Sequence, residues 1–97
     1  MPATDVNSEA AALWRIEAPT LIAVLARLLG SVELAEEVAQ DTFLEALEGW
    51  QKTGVPQNPG GWLMTASRHR AIDVLRRIRR LERKHEQIER ELDTSRP

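Results

Sequence analysis

The sequence contains no cysteine, so disulfides and thiolate sites are excluded, and the absence fits a reducing compartment. Nothing in it approaches the roughly 18 apolar residues that a membrane span needs. The opening stretch MPATDVNSEAA has neither the basic region nor the apolar centre of a secretory signal. The expected location is the cytoplasm, with no membrane partner. Alternating β-branched runs, Asn-Gly hairpin signals and internal repeats are also missing, which excludes the usual sheet and solenoid architectures. What is left is an all-α chain.

The 97 residues, 42% of them hydrophobic and 29% charged, suffice for a single core and no second one. The net charge of -2 hides a division. Residues 1–60 carry nine acids and three bases, and residues 61–97 carry ten bases and six acids. Two surfaces of opposite sign are expected.

Helical periodicity divides the chain into a bundle of three main helices. Ser8 is placed to cap the first, whose apolar positions Leu13, Trp14, Leu21, Ile22, Leu25, Leu28 and Leu29 run until Gly30 stops it. Pro19 should break or kink this helix, because it lacks an N–H donor. Ser31 caps a second helix from Val32 to about Trp50. The loop QKTGVPQN follows, and Asn58-Pro59 reads as a cap with proline at the first helical position. The third helix should bury Leu63, Ala66, Ser67, Ala71, Val74, Ile78 and Leu81. Beyond it, LERKHEQIERELD extends the helix as a charged tail only marginally tied to the core.

The second helix has an unusual outer face. At about 100° per residue, Leu34, Ala35, Val38, Ala39, Thr42, Phe43, Ala46, Leu47 and Trp50 point inward. Glu33, Glu36, Glu37, Gln40, Asp41, Glu45 and Glu48 point outward with no lysine or arginine among them. Like charges at this spacing cost a few tenths of a kcal/mol per pair. Leu44 sits in the middle of the acids, where burial is not expected. Acid with one exposed leucine reads as a docking face for a basic protein partner; a solubilising acidic face with a stray leucine is the alternative.

The third helix reverses the sign. GWLMTASRHRAIDVLRRIRR, from Gly61 to Arg80, holds six arginines against the single acid Asp73. Its outer side collects Arg68, His69, Ile72, Arg76, Arg79 and Arg80, with Trp62 at the edge. Arginine in place of lysine favours phosphate recognition by forked donors, and nucleic acid is the natural polyanion. A merely solvated charge run is the alternative. Catalytic readings are weak: His69 and Asp73 at i,i+4 have no accompanying nucleophile or oxyanion loop. His85, Glu86 and Glu89 match no standard zinc spacing, and Gly60-Gly61 lacks the Lys-Ser/Thr sequel of a phosphate loop. Neither an enzyme nor a bound cofactor or metal is expected.

Taken in order, LAEEVAQDTFLEALEGW, a loop, and NPGGWLMTASRHRAIDVLRR resemble domain 2 of bacterial extracytoplasmic-function sigma factors, the promoter-recognition subunits of RNA polymerase. The resemblance covers roughly residues 10–80. The GVPQNPGGWL approach and the RRLERKHE sequel look most like the subgroup with a long C-terminal extension. It implies that the acidic helix docks on the clamp helices of the largest polymerase subunit through Glu37, Gln40 and Asp41, with Leu44 adjoining. It also implies that the third helix engages the minus-ten promoter element and holds an extruded base of the non-template strand. Trp62 matches the family's aromatic at the start of that helix. His69 stands where the family often has asparagine, a departure that implies a different base preference there or a less strict one. Arg68, Arg70, Arg76, Arg77, Arg79 and Arg80 would neutralise phosphates.

On this reading residues 1–81 form the polymerase- and promoter-binding domain and 82–97 begin an interdomain linker. The domain 4 that such factors use for the minus-thirty-five element is absent from this chain. An anti-sigma factor or a C-terminal regulatory extension is a further possible partner. The alternative function is a helical protein-interaction module, meeting an anti-sigma protein or a second copy without reading bases.

Overall fold

Three helices, α1 (Val6–Leu29), α2 (Val32–Thr53) and α3 (Pro59–Thr94), make up the fold of the computed structural model, which describes residues 5–95. The ends of the two expected segments, residues 1–4 and 96–97, lie outside the described residues. The all-α expectation holds. No helix among the described residues is long and apolar enough to cross a membrane.

The helix boundaries depart from expectation in two places, the start of α1 and the end of α2. Asp5, not Ser8, caps α1: its carboxylate accepts the Asn7 N–H at 3.0 Å, and the Ser8 hydroxyl donates to the other carboxylate oxygen at 3.1 Å. Three capping-type residues lie close together here, and Asp5 alone combines extended backbone with a free acceptor. Pro19 does not break α1. It is exposed, so the carbonyl that loses its helical donor, that of Arg15, can turn to water. Finally, α2 runs past Trp50 to Thr53, taking in part of the expected loop, and ends where Gly54 at φ 83 donates its N–H to the Trp50 carbonyl at 2.8 Å.

Two other boundaries stand as read. Ser31 caps α2 by accepting from the Leu34 N–H at 3.2 Å. Asn58 caps α3 by accepting from the Gly61 N–H at 3.1 Å, with proline at the helix start.

Short connections turn α2 back along α1 and α3 back along α2. Gln51 near the end of α2 accordingly donates to Asn7 near the start of α1 at 2.9 Å. One core cluster joins Leu21 and Leu25 of α1 to Ala35, Val38 and Ala39 of α2 and Ala71 of α3. The other joins Ala10, Ala46, Trp50 and Leu63. Alanines at these contacts let the backbones approach closely, while full burial of Leu21, Leu25 and Leu63 contributes roughly 1.5–3 kcal/mol each. The two buried polar residues among the described residues, Thr42 and Ser67, donate to carbonyls of their own helices, those of Val38 at 2.8 Å and Met64 at 3.1 Å. They therefore sit at helix contacts with their donors satisfied.

The expected stripe of α3 stops short of its predicted end. Leu63, Ser67 and Ala71 are buried and Val74 and Ile78 are half-buried, but Leu81 is 54% exposed. Periodicity placed Leu81 on the correct side of the helix. The bundle ends before reaching it, and α3 continues alone to Thr94 with every residue from Arg79 onward exposed.

Candidate nucleic-acid and protein interface

With Ala35, Val38, Ala39, Thr42, Ala46 and Trp50 turned inward, α2 presents Glu36, Glu37, Gln40, Asp41, Leu44, Glu45 and Glu48 to solvent. Leu44 is 60% exposed. It stands in the middle of an acidic surface, as its sequence position indicated. The corresponding face of α3 exposes Arg68, His69, Ile72, Asp73, Arg76, Arg77, Arg79 and Arg80.

These two faces are not separate. A groove of about 320 Å³ runs between α2 and α3, with Glu37 and Asp41 on one wall, Arg70, Asp73 and Arg77 on the other, and Leu34, Val38 and Val74 between them. Acids singled out for a protein partner thus share a depression with arginines singled out for phosphates. Arg70 is committed across it: its Nη2 donates to Glu45 Oε2 at 2.6 Å. The Nε of Arg70 is buried without a partner, so the guanidinium spends part of its donor capacity inside the protein.

His69 is placed differently. It borders two shallow hollows, one with Ile72, Asp73 and Arg76, the other with Glu45, Ala66, Arg70 and Asp73. His69, Ile72 and Arg76 therefore form one open patch. Asp73 reaches Arg76 at 3.7 Å with both side chains 70% exposed, a contact too solvated to hold either in place. Arg79 and Arg80 continue the basic surface onto the part of α3 that has left the bundle.

Trp62 stands apart from that patch. It is half-buried and packs edge-on against Trp50, with ring centroids 5.4 Å apart and an interplanar angle of 68°. It lines a hollow with Trp50, Thr53, Gly54, Val55 and Pro56 at the start of α3. One edge is core and the other is open, so the indole is held rigidly where a flat ligand could meet it.

Two contributors were not singled out from the sequence. Glu17 of α1 lies against the first turn of α3, close enough that a Cβ built on Gly60 would stand 3.0 Å from its Oε1. A carboxylate there complements the N-terminal end of the helix dipole. Gly61 leaves room for the cap, since a Cβ on it would come within 2.6 Å of Asn58 Nδ2. Glu45 appears in the sequence only as one more acid, and its pairing with Arg70 spans 25 residues. No single-helix pattern marks such a pair.

A protein of Rhizobium meliloti (strain 1021), described as uncharacterized, is 37% identical over 59 residues, or 61% of this chain, and the chain spans only 14% of that relative's length. No solved structure matches. The Sigma-70 region 2 family matches over residues 13–81, a span that takes in most of α1, all of α2 and the bundled part of α3. The chain belongs to the Sigma-70 region 2 family.

Proposed function

We propose that the chain serves in transcription initiation as the sigma-factor domain that docks on RNA polymerase through α2 and engages the minus-ten promoter element through α3. The observation that carries this reading is the exposure of two faces of opposite sign on adjacent helices of one bundle, in a member of the region 2 family. On the polymerase side, Glu37, Gln40 and Asp41 meet basic and polar groups of the clamp helices, and Leu44 supplies the apolar contact. On the DNA side, Arg68, Arg76, Arg77, Arg79 and Arg80 contact phosphates, with Arg70 contributing what Glu45 leaves of its charge.

Base recognition falls to His69 and Ile72 beside those phosphate contacts, and Trp62 offers a stacking edge for an unstacked base. Extruding a base costs a few kcal/mol, which stacking and the arginine contacts offset. The role is one of binding, without catalysis or cofactor, carried out in the cytoplasm where polymerase acts. Residues 1–81 carry this function and 82–97 lead toward a further domain. An anti-sigma factor or regulatory extension would control access to these faces.

A helical interaction module that reads no bases is the second reading, favoured by the partial neutralisation of Arg70. The deciding experiment is capture of the chain by a clamp-helix fragment of the polymerase. Binding that is lost in Asp41→Arg, with helicity unchanged, supports the proposal through like-charge juxtaposition. Equal capture of both proteins refutes the assignment of this face.

A further inference from the structure

Beyond Ile78, α3 has no neighbouring helix among the described residues. The exposed segment from Leu81 to Ser95 is mostly charged and holds just three large apolar residues, Leu81, Ile88 and Leu92, exposed by 54%, 45% and 59%. At about 100° per residue all three fall within an arc of about 40°, with His85 at its edge. The arc prolongs the stripe along which Ala71 and Val74 pack into the bundle core. Successive spacings from Ala71 through Val74, Ile78, Leu81, His85 and Ile88 to Leu92 alternate between three and four residues, the seam of a coiled coil. The helices α1 and α2 fill the first half of this seam. Among the described residues nothing fills the second.

The charges select what does. Residues 76–84 hold six bases and one acid, whereas residues 86–93 hold four acids and one base. A second copy laid antiparallel sets each basic segment against the other's acidic one, while a parallel copy sets like against like. Shape agrees, because α1 and α2 occupy the seam side of α3, and a parallel copy would bring two bundles to the same place. Antiparallel pairing puts them at opposite ends.

Register agrees as well. About a two-fold axis between Glu86 and Gln87, Leu81 faces Leu92 of the second copy and His85 faces Ile88, so each seam residue meets a seam residue. Lys84 then stands beside Glu91 of the second copy. Glu82 beside Glu89 is a like-charge contact that weakens the pairing, and two heptads of overlap are few.

We propose that Leu81, His85, Ile88 and Leu92 form a self-association surface through which two copies of the chain pair antiparallel along the ends of α3, weakly and in a concentration-dependent manner. This inference does not depend on the promoter reading. Sedimentation of the 97-residue chain over a wide concentration range tests it. The mass is expected to rise from one copy to two, and Ile88→Asp is expected to raise the dissociation constant about tenfold or more. Because Ile88 lies beyond the bundle in the single copy, tryptophan emission from the bundle should not change. Lys84→Glu should also weaken pairing, and Lys84→Glu combined with Glu91→Lys should restore it. A chain that stays single at every concentration, or a dimer indifferent to Ile88→Asp, overturns the proposal. Failure of the double charge swap to restore pairing overturns the antiparallel register.

Discussion

Arg70 of α3 and Glu45 of α2 form an ion pair at 2.6 Å, the one such pair between helices among the described residues, with side chains 37% and 53% exposed. It ties the basic helix to the acidic one at the point where their outer faces meet. At this exposure solvent screens much of the attraction. A double-mutant cycle with Arg70→Gln and Glu45→Gln, read by denaturant unfolding, should give a coupling below about 1 kcal/mol at low salt. The coupling should fade as ionic strength rises.

The same pair sets a ranking among the arginines on DNA. If phosphates are contacted as proposed, each lost contact flattens the slope of log affinity against log salt by roughly one unit. Arg76→Ala with Arg79→Ala should therefore remove about two units, uniformly across DNA sequences. Arg70→Ala should remove less than one, because Glu45 already holds that guanidinium. Equal effects at Arg70 and Arg76 would contradict this ranking, and unchanged slopes would return the basic face to simple solvation.

Base preference should follow His69. An imidazole and an amide place their donor and acceptor differently, so His69→Asn in the full factor should shift preference at one minus-ten position with little change in overall affinity. His69→Ala should flatten that preference, at a cost in discrimination on the order of 1–3 kcal/mol. Transcription from promoters carrying every base at each minus-ten position reads the effect. Identical profiles for all three proteins would show that His69 does not read sequence.

In the core, two residues of one cluster should respond very unequally to truncation. Leu63 is fully buried, and Leu63→Ala should cost roughly 2–5 kcal/mol through lost contacts and a residual cavity. Trp50 is 2% exposed, with an indole N–H that is buried and has no partner. Trp50→Phe removes that donor along with part of the ring, and relief of the unsatisfied group, about 1–3 kcal/mol, offsets much of the lost packing. Denaturant midpoints should place Trp50→Phe within about 1 kcal/mol of the parent chain and Leu63→Ala far below both.

The helix count, the caps at Ser31 and Asn58 and the inward residues of α2 were legible because each depends on local spacing or on one side chain bonding its own backbone. The cap of α1 was less so. Asp5, Asn7 and Ser8 can all cap, and the choice lies in backbone angles that composition does not encode. Whether Pro19 ends α1 or is carried within it could not be read from spacing, because the cost of a proline depends on whether the freed carbonyl can reach water, a matter of burial. Leu81 shows a further limit: periodicity reports the side of a helix and is silent on where its neighbours end. The candidate site was readable one helix at a time, so the signs of both faces were visible. The Arg70–Glu45 link and the shared groove were not, since both arise only when α2 and α3 are packed together.

The aromatic side chains have a consequence for any spectroscopic study of the chain. All three tryptophans lie in the bundle, Trp14 beside Phe43 at 4.7 Å and Trp50 beside Trp62 at 5.4 Å, and none lies after Trp62. Intrinsic emission therefore reports melting of the bundle alone, whereas far-ultraviolet circular dichroism weighs all of α3, including its unaccompanied end. The two signals need not lose intensity together on heating. An early decline in ellipticity at constant emission would mark fraying of the outer turns of α3 while the helix bundle was still folded.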